Sequence, residues 1–329
     1  MRSAGNPGLT QNATMNAQTL DGLGGLTVLE RGWLSSNNIL IHPAPGQKGA
    51  LLVDTGHVNH AAQTLALVQH ALGGQPLAGI VNTHLHSDHC GGNATLQRAF
   101  AAPLCIPPGH AQAVAAWDEQ QLSYRATGQR VDRFVASQQM VPGQALQAGG
   151  RLWPGWQVLA APGHDPHSVM LFNEGTGVLL SADALWGNGF GVVFPEVEGE
   201  PGFDDVEAVL NLIAGLPVKV VVPGHGAPFT DVAAALDRAR SRLAAFRASP
   251  ERHARYAFKV LVKYHLMEEG AMAEEDLMPW ARATPLVAAL MQAQGGVDAA
   301  ANEGWGRALV DELVAQGAAA RQGGRLVDA

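Results

Sequence analysis

Short apolar runs alternate with turn residues through the first two thirds of the chain. Each run has strand length and ends at glycine, proline or polar residues, and the runs lie at 26–30, 38–42, 50–53, 78–81, 103–106, 157–161, 168–173, 177–181 and 218–222. Between them, alanine, leucine and valine recur at helical spacing over 58–72, from about residue 94 and over 204–216. The pattern predicts strands and helices mixed within one domain.

The pattern changes after Phe229. Helical spacing runs from 233 to about 262, and Ser249-Pro250 divides it into two helices because the residue before a proline disfavours helix. Further helices and a closing hairpin are predicted at 274–280, 284–293, 304–316 and 318–327. We therefore expect a polar N-terminal tail (1–20), a main domain (21–248) and a small, mainly helical C-terminal domain (249–329).

Four candidate metal ligands follow the apolar run 78–81 within six residues, namely His84, His86, Asp88 and His89. Burying imidazoles and a carboxylate together is unfavourable unless something binds them, and a divalent metal is the usual compensation. Imidazole and carboxylate without thiolate suit zinc, with iron or manganese as alternatives. The competing interpretation is a solvated, histidine-rich loop.

Three further candidates, His164, Asp183 and His225, each stand where an apolar run ends in a turn. Loops held by a rigid sheet are where sites are built. Any one of these residues alone is better explained as a hydrogen-bonded turn residue. Together with the motif at 84–89, their order along the chain is far more specific.

These motifs resemble the metallo-β-lactamase superfamily. The family's His-x-His-x-Asp-His motif matches residues 84–89, its later His, Asp and His match the three candidates above, and Asp54-Thr55-Gly56 matches an earlier element. The resemblance covers roughly residues 25 to 230. It implies an α+β fold, an αββα sandwich with the metal site at one edge.

The resemblance also implies the ligand set. One divalent ion would be held by His84, His86 and His164, a second by Asp88, His89 and His225, with Asp183 bridging both. Asp88 would also act in catalysis by orienting a metal-bound hydroxide. Asp54 would hold a ligating imidazole in one tautomer, whereas on local grounds an Asx-turn explains it equally well.

The implied activity is metal-dependent hydrolysis of a small ester, thioester or lactone. Residues 162–164 resemble the Pro-Gly-His turn of glyoxalase II-like enzymes, but Asp165-Pro166-His167 departs from that pattern, and His167 is expected to be an orienting or surface group. The alternatives are a phosphodiesterase or endoribonuclease acting on single-stranded RNA, a mononuclear iron enzyme that oxidises sulfur compounds, and a purely structural metal site.

The predicted C-terminal elements resemble the winged helix appended to some proteins of this family. Residues 249–329 contain eight Lys or Arg against eleven Asp or Glu, whereas a nucleic-acid reader normally shows a basic face. We therefore expect a packing or homodimerisation role, with nucleic-acid binding as the less favoured alternative.

Two stretches are expected to shape a substrate pocket. The first, 107–156, contains a predicted helix over 110–125 and three arginines that either hold a substrate carboxylate or, as we favour, lie on a solvated face: Arg125, Arg130 and Arg133. The second, 186–203, is glycine-rich and carries aromatic residues that either close over substrate or pack onto the core: Trp186, Phe190 and Phe194.

Composition narrows the class further. Of 329 residues 47% are hydrophobic and 15% charged, as in a well-packed globular enzyme, and the net charge of −8 disfavours phosphate-backbone binding. Two cysteines do not make a disulfide framework, and Cys90 is expected to be a small buried residue. No targeting or membrane-spanning segment is evident, which favours a cytoplasmic location.

Overall fold

The computed structural model describes residues 25–296 and 298–329, so the tail predicted for 1–20 lies outside the described residues. Six strands form the first sheet in sequence order: β1 (Leu26–Leu29), β2 (Asn38–Ile41), β3 (Ala50–Val53), β4 (Leu77–Val81), β5 (Leu104–Ile106) and β6 (Gln138–Gln139). The first three strands pair antiparallel, and β3 to β6 pair parallel.

The second sheet has the order β11-β10-β9-β8-β7. Its strands are β7 (Ala145–Ala148), β8 (Arg151–Ala160), β9 (Val169–Asn173), β10 (Val178–Ala182) and β11 (Val220–Pro223). All pairs are antiparallel except β10 with β11. Strand β8 begins six residues before the predicted run at 157, because Pro154 and Gly155 interrupt the apolar residues of its first half.

Successive side chains of a strand point to opposite faces, and this alternation separates the layers. In β3, Leu51 and Val53 pack between the two sheets, while Leu52 packs outward against helices. In β9, Leu171 packs between the sheets and Phe172 packs against the helices on the other side. The four layers, helix, sheet, sheet and helix, are the predicted αββα sandwich.

The helices outside the first sheet are α1 (Ala61–Leu72), α2 (Ser87–Cys90), α3 (Asn93–Phe100), α4 (Ala111–Ala116) and α5 (Tyr124–Thr127). Those that follow the start of the second sheet are α6 (Phe194–Glu198), α7 (Phe203–Gly215) and α8 (Val232–Ala248). The prediction of a single helix over 110–125 was wrong. Helix α4 is terminated by Trp117, which has a left-handed φ of 59°, and α5 is a separate short helix.

The C-terminal region contains α9 (Pro250–Glu269), α10 (Leu277–Ala283), α11 (Pro285–Gly295) and α12 (Ala299–Ala315), which share one apolar cluster. The predicted hairpin forms as β13 (Ala319–Gln322) and β14 (Arg325–Asp328), and β14 also pairs with β12 (Ala271–Ala273), a strand too short to be predicted. The division into two domains at residue 248 remains a prediction. Within the described residues, no helix combines the length and hydropathy that crossing a membrane requires.

Candidate metal centre

The seven candidate ligands all follow the ends of strands. His84 and His86 come after β4, and Asp88 and His89 lie on the short helix α2 that follows. The second sheet supplies the rest from the ends of β8, β10 and β11, namely His164, Asp183 and His225. All seven are buried, so the two sheets bring residues distant in sequence to one edge of the sandwich.

The first group contains His84, His86 and His164, whose candidate ligand atoms lie within 4.8 Å of one another. His86 Nδ1 lies 2.9 Å from His164 Nε2. The ring centroids of His84 and His86 are 4.6 Å apart, and the rings are nearly perpendicular. Three imidazoles therefore converge on one point, as the resemblance implies for the first metal.

The second group contains Asp88, His89, Asp183 and His225, again within 4.8 Å. Asp88 Oδ2 lies 3.0 Å from His225 Nε2 and 3.6 Å from His89 Nε2. Asp183 contacts both groups, since its Oδ1 lies 3.3 Å from His89 Nε2 and its Oδ2 lies 3.4 Å from His164 Nε2. This is the position expected of a bridging carboxylate.

The chemistry of this donor set fits divalent metal ions. His84 Nε2 and His89 Nε2 are buried and find no hydrogen-bond partner among the described residues. An unsatisfied buried polar atom is unfavourable, and a native structure normally compensates it. Nitrogen and carboxylate donors in groups of three and four match the preferences of zinc and of related divalent metals. The assignment of the seven residues as ligands remains a prediction.

Neighbouring groups fix the orientation of the imidazoles. Asp54 Oδ2 lies 2.7 Å from His89 Nδ1, and the same carboxylate accepts hydrogen bonds from the Thr83 N–H and from Thr83 Oγ1. His164 Nδ1 donates to the Val192 carbonyl at 2.6 Å. Both contacts occupy Nδ1 and leave the Nε2 atoms of His89 and His164 directed toward the cluster. Because the carboxylate of Asp54 bonds across to Thr83 and His89, the structure favours the orienting role over the Asx-turn.

Close packing holds two of the ligands in place. A Cβ at Gly224 would overlap Oδ1 of Asp183, and one at Gly191 would overlap Nδ1 of His164. Asp54 has a left-handed φ of 57°, a strained conformation for a non-glycine residue. The backbone around the cluster is therefore built for close approach.

The electrostatics follow from burial and from the mixture of imidazoles and carboxylates. Burial and neighbouring imidazoles lower the pKa of His86 to about 4. Burial alone would raise the pKa of Asp88, but the facing His89 and His225 lower it to about 2. Burial would lower the pKa of His89, yet the surrounding carboxylates of Asp88, Asp54 and Asp183 raise it well above its usual value.

Aromatic side chains pack against the cluster, and a cavity lined by Trp33, Trp186 and Phe194 opens beside it. Trp33 stacks on His225 with ring centroids 5.3 Å apart, although 58% of Trp33 is exposed. Trp186 packs edge-on against Trp33, and its Nε1–H donates to Asp183 Oδ1 at 3.2 Å. Phe194 packs against His86, whereas Phe190 lies in the core. Trp33 was missed because a lone tryptophan in a turn carries no periodic or motif signal.

Four of the remaining candidates are used within the chain. Arg130 pairs with Glu268 on α9, and Arg133 donates to the carbonyl of Ala115, so these two arginines make intramolecular contacts. Cys90 is buried and free. His167 packs against His110 with ring centroids 4.4 Å apart and belongs to neither ligand group.

Fold and site together define a class: αββα sandwiches with clustered histidines and aspartates at one edge of the two sheets. The profile described as the metallo-beta-lactamase superfamily matches residues 31–225, more than half of the chain. The chain belongs to the metallo-beta-lactamase superfamily.

Relatives with curated names match shorter stretches. A hydroxyacylglutathione hydrolase of Methylobacillus flagellatus is 32% identical over 54% of this chain and 57% of its own length. A probable metallo-hydrolase of Bacillus subtilis is 33% identical over 26% of this chain and 28% of its own length. The chain thus matches about half the length or less of these relatives.

Solved structures show the same fold over nearly the whole chain. A metallo-beta-lactamase family protein from Thermus thermophilus has a TM-score of 0.54 and 22% identity over 93% of this chain and 99% of its own. A beta-lactamase domain protein from Burkholderia ambifaria has a TM-score of 0.54 and 21% identity over 92% of each chain. At this identity the likeness shows the fold alone, and it extends into the C-terminal helices.

Proposed function

We propose that the chain is a binuclear metal-dependent hydrolase, with zinc as the preferred metal, that cleaves a small ester, thioester or lactone. The observation that carries the proposal is the pair of ligand groups joined through Asp183 on one side of a cavity. His84, His86 and His164 would hold one ion, and Asp88, His89 and His225 the other. Bound ions of this kind polarise a carbonyl oxygen and lower the pKa of a water to about 7.

Asp88 has a separate role in this proposal. Its pKa of about 2 keeps it ionised at neutral pH, and its carboxylate both faces His225 and lines the cavity. A carboxylate in this position accepts a hydrogen bond from an attacking water at Oδ and holds that water in line with a substrate carbonyl. His89, held by Asp54, keeps its Nε2 directed at the cluster.

The partial match to hydroxyacylglutathione hydrolases favours an acyl-transfer reaction over the other chemistries that this fold supports. The RNA-cleaving alternative is less favoured because basic residues on α8 and α9 are used within the chain. Arg247 pairs with Asp204 and Glu207, and Arg255 pairs with Glu312. Binding of single-stranded RNA with an affinity that falls steeply as the salt concentration rises would favour the RNA-cleaving alternative instead.

The experiment combines metal quantification with a hydrolysis screen of thioesters, lactones, phosphodiesters and β-lactams. We expect two zinc ions per chain and turnover of a carbonyl substrate, both strongly reduced in His86→Ala. Asp237→Asn, which removes an exposed carboxylate on α8, serves as the control and should match the parent. A single iron per chain would favour sulfur oxidation, and parental turnover by His86→Ala would refute the mechanism.

A further inference from the structure

A cavity of about 400 Å³ lies beside the candidate ligands, and five of these line it: His86, Asp88, His164, Asp183 and His225. This volume is in the range of small-molecule sites, roughly 300–1,000 Å³. The site and the cavity are therefore continuous, and any molecule that reaches the cluster also contacts the other cavity walls.

Those other walls are mostly apolar, and the C-terminal helices supply much of them. Val260 and Met267 on α9 and Leu313 on α12 line the cavity. On the other side stand Trp186 and Phe194 from the segment that follows β10. The lining thus presents aliphatic and aromatic surface to whatever part of a ligand extends away from the cluster.

Two lysines line the same cavity, and each lies beside a carboxylate of the C-terminal region. Lys259 Nζ lies 3.4 Å from Glu312 Oε2. Lys263 Nζ lies 2.5 Å from Asp328 Oδ1 and donates to the carbonyl of Ala329 at 3.0 Å. Among the lining residues that the structure describes, no other lysine or arginine is present. The lysine stems therefore add apolar surface, and each ammonium group already has a carboxylate partner, which Lys259 shares with Arg255.

We propose that the cavity selects carbonyl substrates with an uncharged, apolar acyl chain, which packs between α9, α12 and Phe194. This inference rests on the proposed hydrolase function and narrows its substrate class. It also separates this chain from the substrate in its relatives' names, because a glutathione thioester brings carboxylates that would lose their hydration against an apolar wall. The C-terminal helices thereby become part of the substrate site.

The size of the effect follows from apolar burial. Each methylene fully removed from water contributes at most roughly a fourfold gain in binding. Four added methylenes that are only partly buried should therefore raise kcat/KM by about tenfold or more. A substrate that stays outside the apolar wall would show no such dependence.

The test uses the zinc-loaded full chain with acetyl, butanoyl, hexanoyl and octanoyl thioesters of one neutral thiol, together with lactoylglutathione. We expect kcat/KM to increase along the series and lactoylglutathione to be the poorer substrate. Equal values for acetyl and octanoyl thioesters, or a preference for lactoylglutathione, would overturn the apolar assignment while leaving a hydrolase. If the parent cleaves none of them and none of the other screened carbonyl compounds, the proposed function itself fails.

A binding measurement separates the cavity from the chemistry. Octanamide and acetamide are titrated into the metal-free chain, with tryptophan fluorescence as the signal because Trp33 and Trp186 line the cavity. We expect octanamide to bind at least about tenfold more tightly than acetamide. Equal affinities would overturn the proposal even if turnover is observed.

Substitution of residues in the apolar wall tests whether this wall causes the dependence of kcat/KM on acyl-chain length. Val260→Asn and, independently, Met267→Gln should each reduce the octanoyl-to-acetyl ratio of kcat/KM severalfold. Val141→Asn makes the same chemical change at a valine that is 50% exposed and outside the cavity, and it should keep the parental ratio. Circular dichroism verifies that each variant folds. An unchanged ratio in a folded wall variant would contradict the assignment.

Discussion

Replacing Asp54 by asparagine tests the orientation of His89 directly. The carboxylate accepts from the Thr83 N–H at 2.8 Å and lies 2.7 Å from His89 Nδ1. In Asp54→Asn, the buried Thr83 N–H still requires an acceptor, so the amide oxygen takes the Oδ1 position. The amide NH₂ then faces His89 Nδ1, which becomes the acceptor, and the proton moves to Nε2 on the side of the cluster.

A protonated Nε2 does not coordinate a metal, so the ion in the second group should bind more weakly. Loss of such an orienting carboxylate typically reduces metal affinity or activity 10–100-fold, which corresponds to about 1.4–2.7 kcal/mol. The first group lacks a contact with Asp54, so its affinity should change less. The variant should therefore weaken metal binding at the second group more than at the first.

Zinc titration against a chromophoric chelator, followed by elemental analysis after dialysis, measures both affinities. Asp237→Asn is a matched control because it makes the same chemical change at an exposed carboxylate on α8. We expect it to retain both ions and to lose at most a few-fold in affinity. Binding of two zinc ions to Asp54→Asn with parental affinity would refute the orienting role.

Three further predictions concern packing, pH and thiol chemistry. Gly224→Ala should push Asp183 aside, reduce bound metal and lower the free energy of unfolding by about 1–3 kcal/mol. Gly215→Ala, whose Cβ meets open space, should change neither quantity. Equal metal content and equal unfolding free energy in the two variants would contradict this prediction. Burial would raise the pKa of Glu268, but the facing His57 and Arg130 lower it. The contribution of Glu268 to stability therefore exists above the ordinary glutamate pKa and is lost as pH falls through the folded value. Glu268→Gln should thus destabilise the chain by about 1–3 kcal/mol at pH 7, with a difference that shrinks below about pH 4 in denaturant titrations; a difference independent of pH would count against it. Burial raises the pKa of Cys105 to about 12, so its thiol should resist Ellman's reagent at pH 8 until urea unfolds the chain, and rapid labelling of the folded chain would disprove this.

The strands were predictable, and the candidate ligands could be identified, because their signals are local. A strand such as β4 is a short apolar run, and the turn after it holds His84 and His86 within a few residues. The order of the later His164, Asp183 and His225 then distinguished one family from isolated turn residues.

Local sequence patterns did not predict the secondary structure correctly where several short elements replace one regular helix or strand. The helix predicted over 110–125 is broken at Trp117, and β12 has only three residues. Such breaks are decided by tertiary packing, since the helical propensity of an alanine-rich stretch is a weak preference that packing readily overrides.

The sequence by itself determined the fold class, the family and which side chains are candidates for holding metal, because those depend on composition and spacing within short segments. Tertiary structure alone decided that Asp54 faces His89, that Trp33 stacks on His225 and that α9 and α12 form the apolar wall of the cavity. The physical reason is that these contacts join segments distant along the chain. Their partners are fixed by how the two sheets and the C-terminal helices pack, which no local periodicity encodes.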